Sequence, residues 1–497
     1  MPSQLLATKS IADIEEADAK GQGQQLHRTL SATALTLLGI GGIIGTGIFV
    51  LTGTAAAEHA GPALALSFII AGFGCAFSGL CYSEFAAMIP VSGSAYSYCY
   101  ATLGEGVAWF IGWNLILEYM FAVATVSVGW SGYLLNFLDL FSIHLPYALS
   151  HSPFAQTAID SYAVMRTGAI LNVPAVVIVA VLATICYIGI KQSSAFNSVI
   201  VTIKVAVVLL FIFLGVGFIQ PHNWHPFIPP NTGHMGVYGI SGIFAAAGVI
   251  FFAYIGFDAI STTAQEAKNP QRDMPIGILS SLVICTILYV VVSVILTGMV
   301  NYTKLDVPAP IALALTTYEP HRWLSAVVDI GAIAGMTSVM LVMTLAQARI
   351  FLAMSQDGLL PKFFGRVHPT FRTPSVGTWV TGVAAAIIGG LFPVGILGQL
   401  VSIGTLAAFV TVCLGVLVLR YKSPDLPRPF RTPWPWFTCI AGAVICFTMM
   451  IFLGVGTWIR LVVWTIVGAL IYVFYGYHHS KVRQQNTPAQ PVRSAGH

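Results

Sequence analysis

Residues Leu37 to Gly53 read LLGIGGIIGTGIFVLTG, apolar enough to lie in a bilayer yet interrupted by glycines at 39, 41, 42, 45, 47 and 53. Glycine costs roughly 1 kcal/mol against alanine inside a helix. Backbone without intrahelical hydrogen bonds is tolerated at membrane depth only where protein or a cavity covers it. Further along, Phe251 to Asp258 (FFAYIGFD) again places a glycine, Gly256, inside an apolar segment. Two such stretches predict two helices that break within the membrane and face one site. The plainer reading of each glycine is close helix packing, the usual role of small residues in membranes.

The surrounding chain supports a membrane setting. Of its 497 residues 57% are hydrophobic and only 8% charged, and the mean hydropathy is +0.83. No sizeable soluble core fits beside apolar runs that recur along nearly the whole length. Spans are expected at about 33–53, 62–89, 107–138, 170–189, 197–219, 237–264, 276–299, 325–354, 376–394, 397–419, 435–456 and 459–478, an all-α polytopic membrane protein with twelve transmembrane helices. Residues 1–30 read as a polar cytosolic tail without the features of a signal peptide. Residues 31–425 read as a ten-span core, 426–480 as the last two spans and 481–497 as a second tail.

With the N-terminus in the cytosol, seventeen Lys and Arg fall inside and four (Arg166, Lys304, Arg322 and Arg460) outside. The positive-inside rule then places both termini in the cytosol, in a plasma (inner) membrane. The net charge of +4 follows from this topology, so no nucleic-acid partner is implied. The eight cysteines carry no CxxC pair and read as buried small hydrophobes. No metal site, cofactor or catalytic set is expected, and the chain is not read as an enzyme.

The third and eighth spans are long, about 30 residues each, and each is third in a group of five. Together with breaks in the first and sixth spans, this suggests two inverted five-helix repeats around a midplane site. Where the first span unwinds, near Ile43 to Gly47, amides that start its second half can bind a carboxylate, and freed carbonyls can accept from an ammonium. The sixth span offers carbonyls of Phe252, Ala253 and Ile255, with Phe252 able to close over a ligand. A zwitterionic amino acid supplies both groups.

Ionisable residues inside spans are costly and commonly functional. Glu118 lies near the midplane and reads as a proton carrier or substrate contact, or as a static partner of the first span. Asp258 reads as a cap on the second half of the sixth span, or as a lining of the path. Lys204, the basic residue left over from the topology count, lies roughly 12 Å into the fifth span at 1.5 Å per residue. Either it snorkels, or its ammonium takes the place of a sodium ion among carbonyls of the first span and the hydroxyls of Thr337 and Ser338. A lysine in that position could gain and lose a proton during a cycle. Glu58, Glu84 and Asp329 read as interfacial or packing residues. Pro90 to Ala108 reads as a loop or re-entrant helix close to a gate.

Four motifs in order, GIGGIIGTGIFVLTG, PVSGSAYSY, FFAYIGFDAISTTAQEAKNPQRDMPIGI and ARIFLAMSQDGLLP, make the chain resemble an amino acid permease of the amino acid/polyamine/organocation superfamily. Within it the chain resembles the cationic amino acid transporter family in a bacterial-sized form, over about residues 30–480. The resemblance implies a leucine-transporter-like fold with a 5+5 inverted repeat and proton-coupled, sodium-independent uptake of cationic or broad-range amino acids. It places the carboxylate on amides around Gly45 to Gly47, flanked by Ile44. It places the amine on carbonyls near Ile43, Phe252, Ala253 and Ile255, beside Gly256. It further implies that Thr46 pairs with Glu118 and that Lys204 fills the sodium-like position. An exchanger, a polyamine or amine carrier, and a non-transporting amino acid sensor are the alternatives. A ligand without a carboxylate leaves the Gly45 to Gly47 amides unpaired, and no sizeable output domain serves a sensor.

Overall fold

The computed structural model describes residues 5–9, 30–89, 94–156, 164–189, 194–318 and 322–486. Most of both tails, Lys191 and residues 90–93 lie outside the described residues. The longer helices are α1 (Ala32–Ile43), α2 (47–60), α3 (Leu64–Met88), α4 (Ser94–Thr102), α5 (Glu105–Asp139), α6 (Val173–Ile188), α7 (Ser194–Gly215) and α8 (Gly239–Ile250). They continue as α9 (Pro270–Met299), α10 (Pro310–Tyr318), α11 (Arg322–Gln356), α12 (Ser375–Leu391), α13 (Val394–Lys422), α14 (Pro435–Phe452) and α15 (Val455–Ile471). Among the described residues nine helical segments are long and apolar enough to cross a membrane, and three further apolar helices, α1, α6 and α12, are shorter. The chain is therefore a mostly helical integral membrane protein.

Both expected breaks are present. Ser31 caps α1 by accepting from the Ala34 amide, and the helix ends at Ile44, whose ψ of 102° is extended. The chain re-enters a helix at Gly47, which is π-helical over Gly47–Leu51 and again over Ala56–Ala60. Gly61, at φ +59°, and Pro62 then separate α2 from α3. In the sixth span, α8 tightens to a 3-10 turn at Phe251–Tyr254 and turns extended at Ile255. Gly256 follows at φ +120°, a conformation closed to residues with a Cβ. The segment beyond it, Asp258–Glu266, is 3-10 and not the α-helical half expected from sequence.

The two 35-residue helices, α5 and α11, pack along each other and beside the breaks, and α9 packs on α1 and α3. Two elements were not legible in the sequence. One is an antiparallel pair, β1 (Phe154–Gln156) with β2 (Val164–Arg166), and the other is α10. Pro310 of α10 and the Leu305 carbonyl lie against Gly53, where a Cβ would come within 2.3 Å of that oxygen, so the α9–α10 connection covers the second half of the first span.

Glu84 and Asp329 are fully buried, which corrects the interfacial reading and leaves the packing one. At the end of α3, Glu84 accepts from Arg420 Nε at 3.0 Å and Nη2 at 2.6 Å and from the Thr432 amide at 2.8 Å. It thereby fastens the 423–434 connection to the helix bundle. Breaking a buried pair by removing one partner costs about 3–5 kcal/mol. Arg420 is still 22% exposed, so Glu84→Ala is expected to lower stability by about 2 kcal/mol, read as a drop in the thermal midpoint in detergent.

Candidate functional site

The two breaks are in backbone contact. A Cβ built on Gly47 would lie 2.2 Å from the Ala253 Cα, and one on Gly256 would lie 2.7 Å from the Gly42 carbonyl. Gly39, by contrast, packs against Ser281 of α9 and Ile260. Both readings of the glycines therefore hold, each at different positions. Ile43, Ile44, Gly45, Thr46, Gly47, Phe252, Ala253, Ile255 and Gly256 are all brought together and buried, with Phe252 the most accessible of the side chains at 6%.

Unwound backbone at this depth must find partners for its polar groups, and these partners define the site. The Gly41 and Ile44 carbonyls accept from Lys204 Nζ at 2.5 and 3.1 Å, and the ammonium also donates to Ser338 Oγ at 3.1 Å. Lys204 is fully buried and turned to the break, which excludes snorkelling in this conformation. Thr337 is not part of this cage. Its hydroxyl donates to the Ile333 carbonyl at 2.7 Å and accepts from Trp130 Nε1 at 3.1 Å. Adjacent residues on a helix project about 100° apart, so only one of the pair 337/338 can face Lys204.

The Ile43 and Ala253 carbonyls, one from each break, both lie 3.0 Å from the hydroxyl of Tyr289 on α9. The Phe252 carbonyl accepts from the Ile255 amide at 3.2 Å. Sequence reasoning missed Tyr289, the one tyrosine of a span that also carries several serines and threonines; a buried tyrosine hydroxyl must find a partner, but the sequence does not show which.

Thr46 does not pair with Glu118. Its hydroxyl donates to Met336 Sδ at 3.2 Å, and the α5 residue beside it is Gly129, where a Cβ would lie 2.7 Å from the threonine methyl. Glu118 precedes Gly129 by three turns, about 16 Å along the helix. The buried Glu118 carboxyl faces Asp258 and Thr405 instead. Thr405 commits its one hydroxyl hydrogen to the Val401 carbonyl, and neither Glu118 oxygen has a hydrogen bond of ordinary geometry among the described residues. Asp258 folds back on the break, accepting from the Gly256 amide at 3.3 Å and from the hydroxyl of Tyr119. It stands within the first turn of the 3-10 segment, behind Phe257 at the capping position.

The two broken helices thus pack against each other around a polar backbone site within an apolar helix bundle. The family model for amino acid permeases matches residues 29–476, and the chain belongs to that family. It is 47% identical over 487 residues to the branched-chain amino acid permease BcaP of Bacillus subtilis (strain 168), covering 97% of this chain and 100% of that one. It is 46% identical over 467 residues to the methylthioribose transporter of the same organism, covering 94% and 97%. The mitochondrial cationic amino acid transporter 3 of Arabidopsis thaliana is 37% identical over 416 residues, covering 83% of this chain and 66% of that one. These relatives are permeases and transporters, not enzymes.

Proposed function

We propose that the chain imports amino acids by alternating access, coupled to protons and independent of sodium. The observation that carries this reading is the Lys204 ammonium seated among the Gly41 and Ile44 carbonyls and the Ser338 hydroxyl, a fixed cation in a cage of oxygens beside the break. The ligand carboxylate is assigned to the amides of Gly45 to Gly47 and its ammonium to the carbonyls of Ile43, Phe252, Ala253 and Ile255, with Phe252 closing over it. In this reading the fold is leucine-transporter-like, with twelve crossings, a 5+5 inverted repeat and both termini in the cytosol. The seventeen-to-four distribution of basic residues supports that orientation.

The wall beside the breaks favours a neutral side chain. Val339 faces Gly45, Met336 faces Thr46 and Met343 faces Gly256. Asp258, two residues past Gly256, is already held by Tyr119 and the Gly256 amide, so it is committed when a cationic side chain arrives. Of the cationic or broad-range amino acids that the motifs suggested, the proposed substrates are thus aliphatic ones within a broad range. The name of the branched-chain relative agrees. The methylthioribose relative, similar over as much of the chain, gives a second reading in which the ligand is a neutral sugar.

Uptake into proteoliposomes of a panel holding leucine, arginine, a polyamine and methylthioribose, with and without a proton gradient, decides among these. Leucine accumulation that follows the proton gradient is expected. Accumulation that ignores protons and follows sodium would sink the coupling proposal. Glu118, with open hydrogen-bonding capacity in a buried site, is assigned the coupled proton. Glu118→Gln is accordingly expected to make initial uptake nearly independent of pH between 5 and 8. A pH profile matching the wild type would return Glu118 to a static role.

A further inference from the structure

The Ile43 and Ala253 carbonyls are two of the four acceptors to which the proposed function assigns the ligand's ammonium, one from each break, and the structure already gives both of them one donor. The Tyr289 hydroxyl stands 3.0 Å from each, fully buried, and its ring is fixed between Phe68 and Tyr254 at centroid distances of 5.5 Å. A hydroxyl carries a single hydrogen, so it serves these carbonyls one at a time, whereas an ammonium brings three. Ile43 and Ala253 are 2% and 1% exposed, so water does not reach them where the two breaks pack together.

We infer that Tyr289 is a positioning residue that lets the carrier close without a ligand. In the empty protein its hydroxyl substitutes for the missing ammonium, so the two breaks pack together with their carbonyls served. In the loaded protein the ammonium serves the same carbonyls, and the hydroxyl is dispensable. Closing empty is the step that separates net uptake from exchange. An exchanger crosses loaded in both directions, whereas net uptake requires the unloaded carrier to return. This rests on the amino acid reading above.

The test is Tyr289→Phe, which keeps the ring between Phe68 and Tyr254 and removes only the hydroxyl. In proteoliposomes, net uptake of leucine into empty vesicles is expected to fall about tenfold, while exchange against internal leucine stays within about twofold of wild type. Replacing Tyr289 by 4-aminophenylalanine, which restores an N–H donor at the same place, is expected to recover net uptake. Equal loss of both modes, with the amino variant no better, would mark Tyr289 as merely structural and overturn the inference. So would an unchanged ratio of the two modes. A wild-type protein that moves no amino acid in either mode would instead overturn the transport reading itself, and this inference with it. Exchange measured per folded protein, scored by size-exclusion profile, separates a folding defect from the expected effect.

Discussion

Lys204→Ala is expected to abolish accumulation driven by a proton gradient, leaving internal amino acid no higher than external, while equilibrium binding changes by less than about fivefold. The ammonium serves two carbonyls of the first break and one hydroxyl of α11, so it bridges α7, the unwound segment and α11 at one point. Removing it leaves the Gly41 carbonyl with only a long contact to Ser338 Oγ at 3.4 Å, and leaves Ile44 without that donor. Each buried carbonyl left unserved costs about 1–3 kcal/mol, enough to bias the equilibrium between closed and open arrangements tenfold or more. Ligand groups are assigned to other atoms, the amides of 45–47 and the carbonyls of 43, 252, 253 and 255, which is why binding is expected to survive. Wild-type accumulation in Lys204→Ala vesicles, with leucine binding measured in parallel by scintillation proximity, would reject the coupling role.

The second large effect is steric. Gly47→Ala places a methyl 2.2 Å from the Ala253 Cα and 2.8 Å from its amide nitrogen, both backbone atoms of the opposite break. Neither can yield like the tip of a flexible side chain, so the two breaks must separate. Overpacking typically costs about 1–3 kcal/mol, and here it also moves apart carbonyls that share one hydroxyl. Uptake is expected to drop below about one per cent of wild type, with a lowered thermal midpoint. Gly45→Ala is the internal comparison, because the atoms nearest its methyl belong to the Val339 side chain, at 3.0 Å, and not to backbone. A modest loss is expected there, and equal sensitivity at the two positions would show that the close approach of Gly47 and Ala253 is not the deciding contact.

Much of this was readable from residue types alone. The glycines of the two stretches, 39 to 53 and 256, marked two breaks without saying which of them served helix packing, and Lys204 stood apart as the one basic residue left over from the topology count. What could not be read was which face of a helix each polar residue takes. Thr46 and Glu118 are both buried near the first span's neighbours, yet three turns of α5 separate Glu118 from Gly129, the residue that meets Thr46. The choice of Ser338 over Thr337 turned on about 100° of helix rotation, which hydropathy in a nearly uniformly apolar span does not encode. Tyr289 and Tyr119 escaped for a related reason. Tyrosine is common in membrane helices, and only the fold reveals that these two hydroxyls end on a carbonyl pair and on Asp258.

Lys9 and Ser480, each near one end of the described residues, are tied to the ends of the two long helices. Lys9 Nζ reaches Asp357, just beyond α11, at 2.6 Å, and Asp357 also accepts from Tyr96 of α4 at 2.7 Å. Glu105, at the start of α5, accepts from Tyr472, Tyr100 and Ser480. The pair of long helices flanking the breaks is therefore anchored at one end by residues near the two termini. For the protein engineer, this makes the termini working parts: a trim that removes Lys9 or Ser480 loosens the footing of α11 or α5, so fusion boundaries belong outside both.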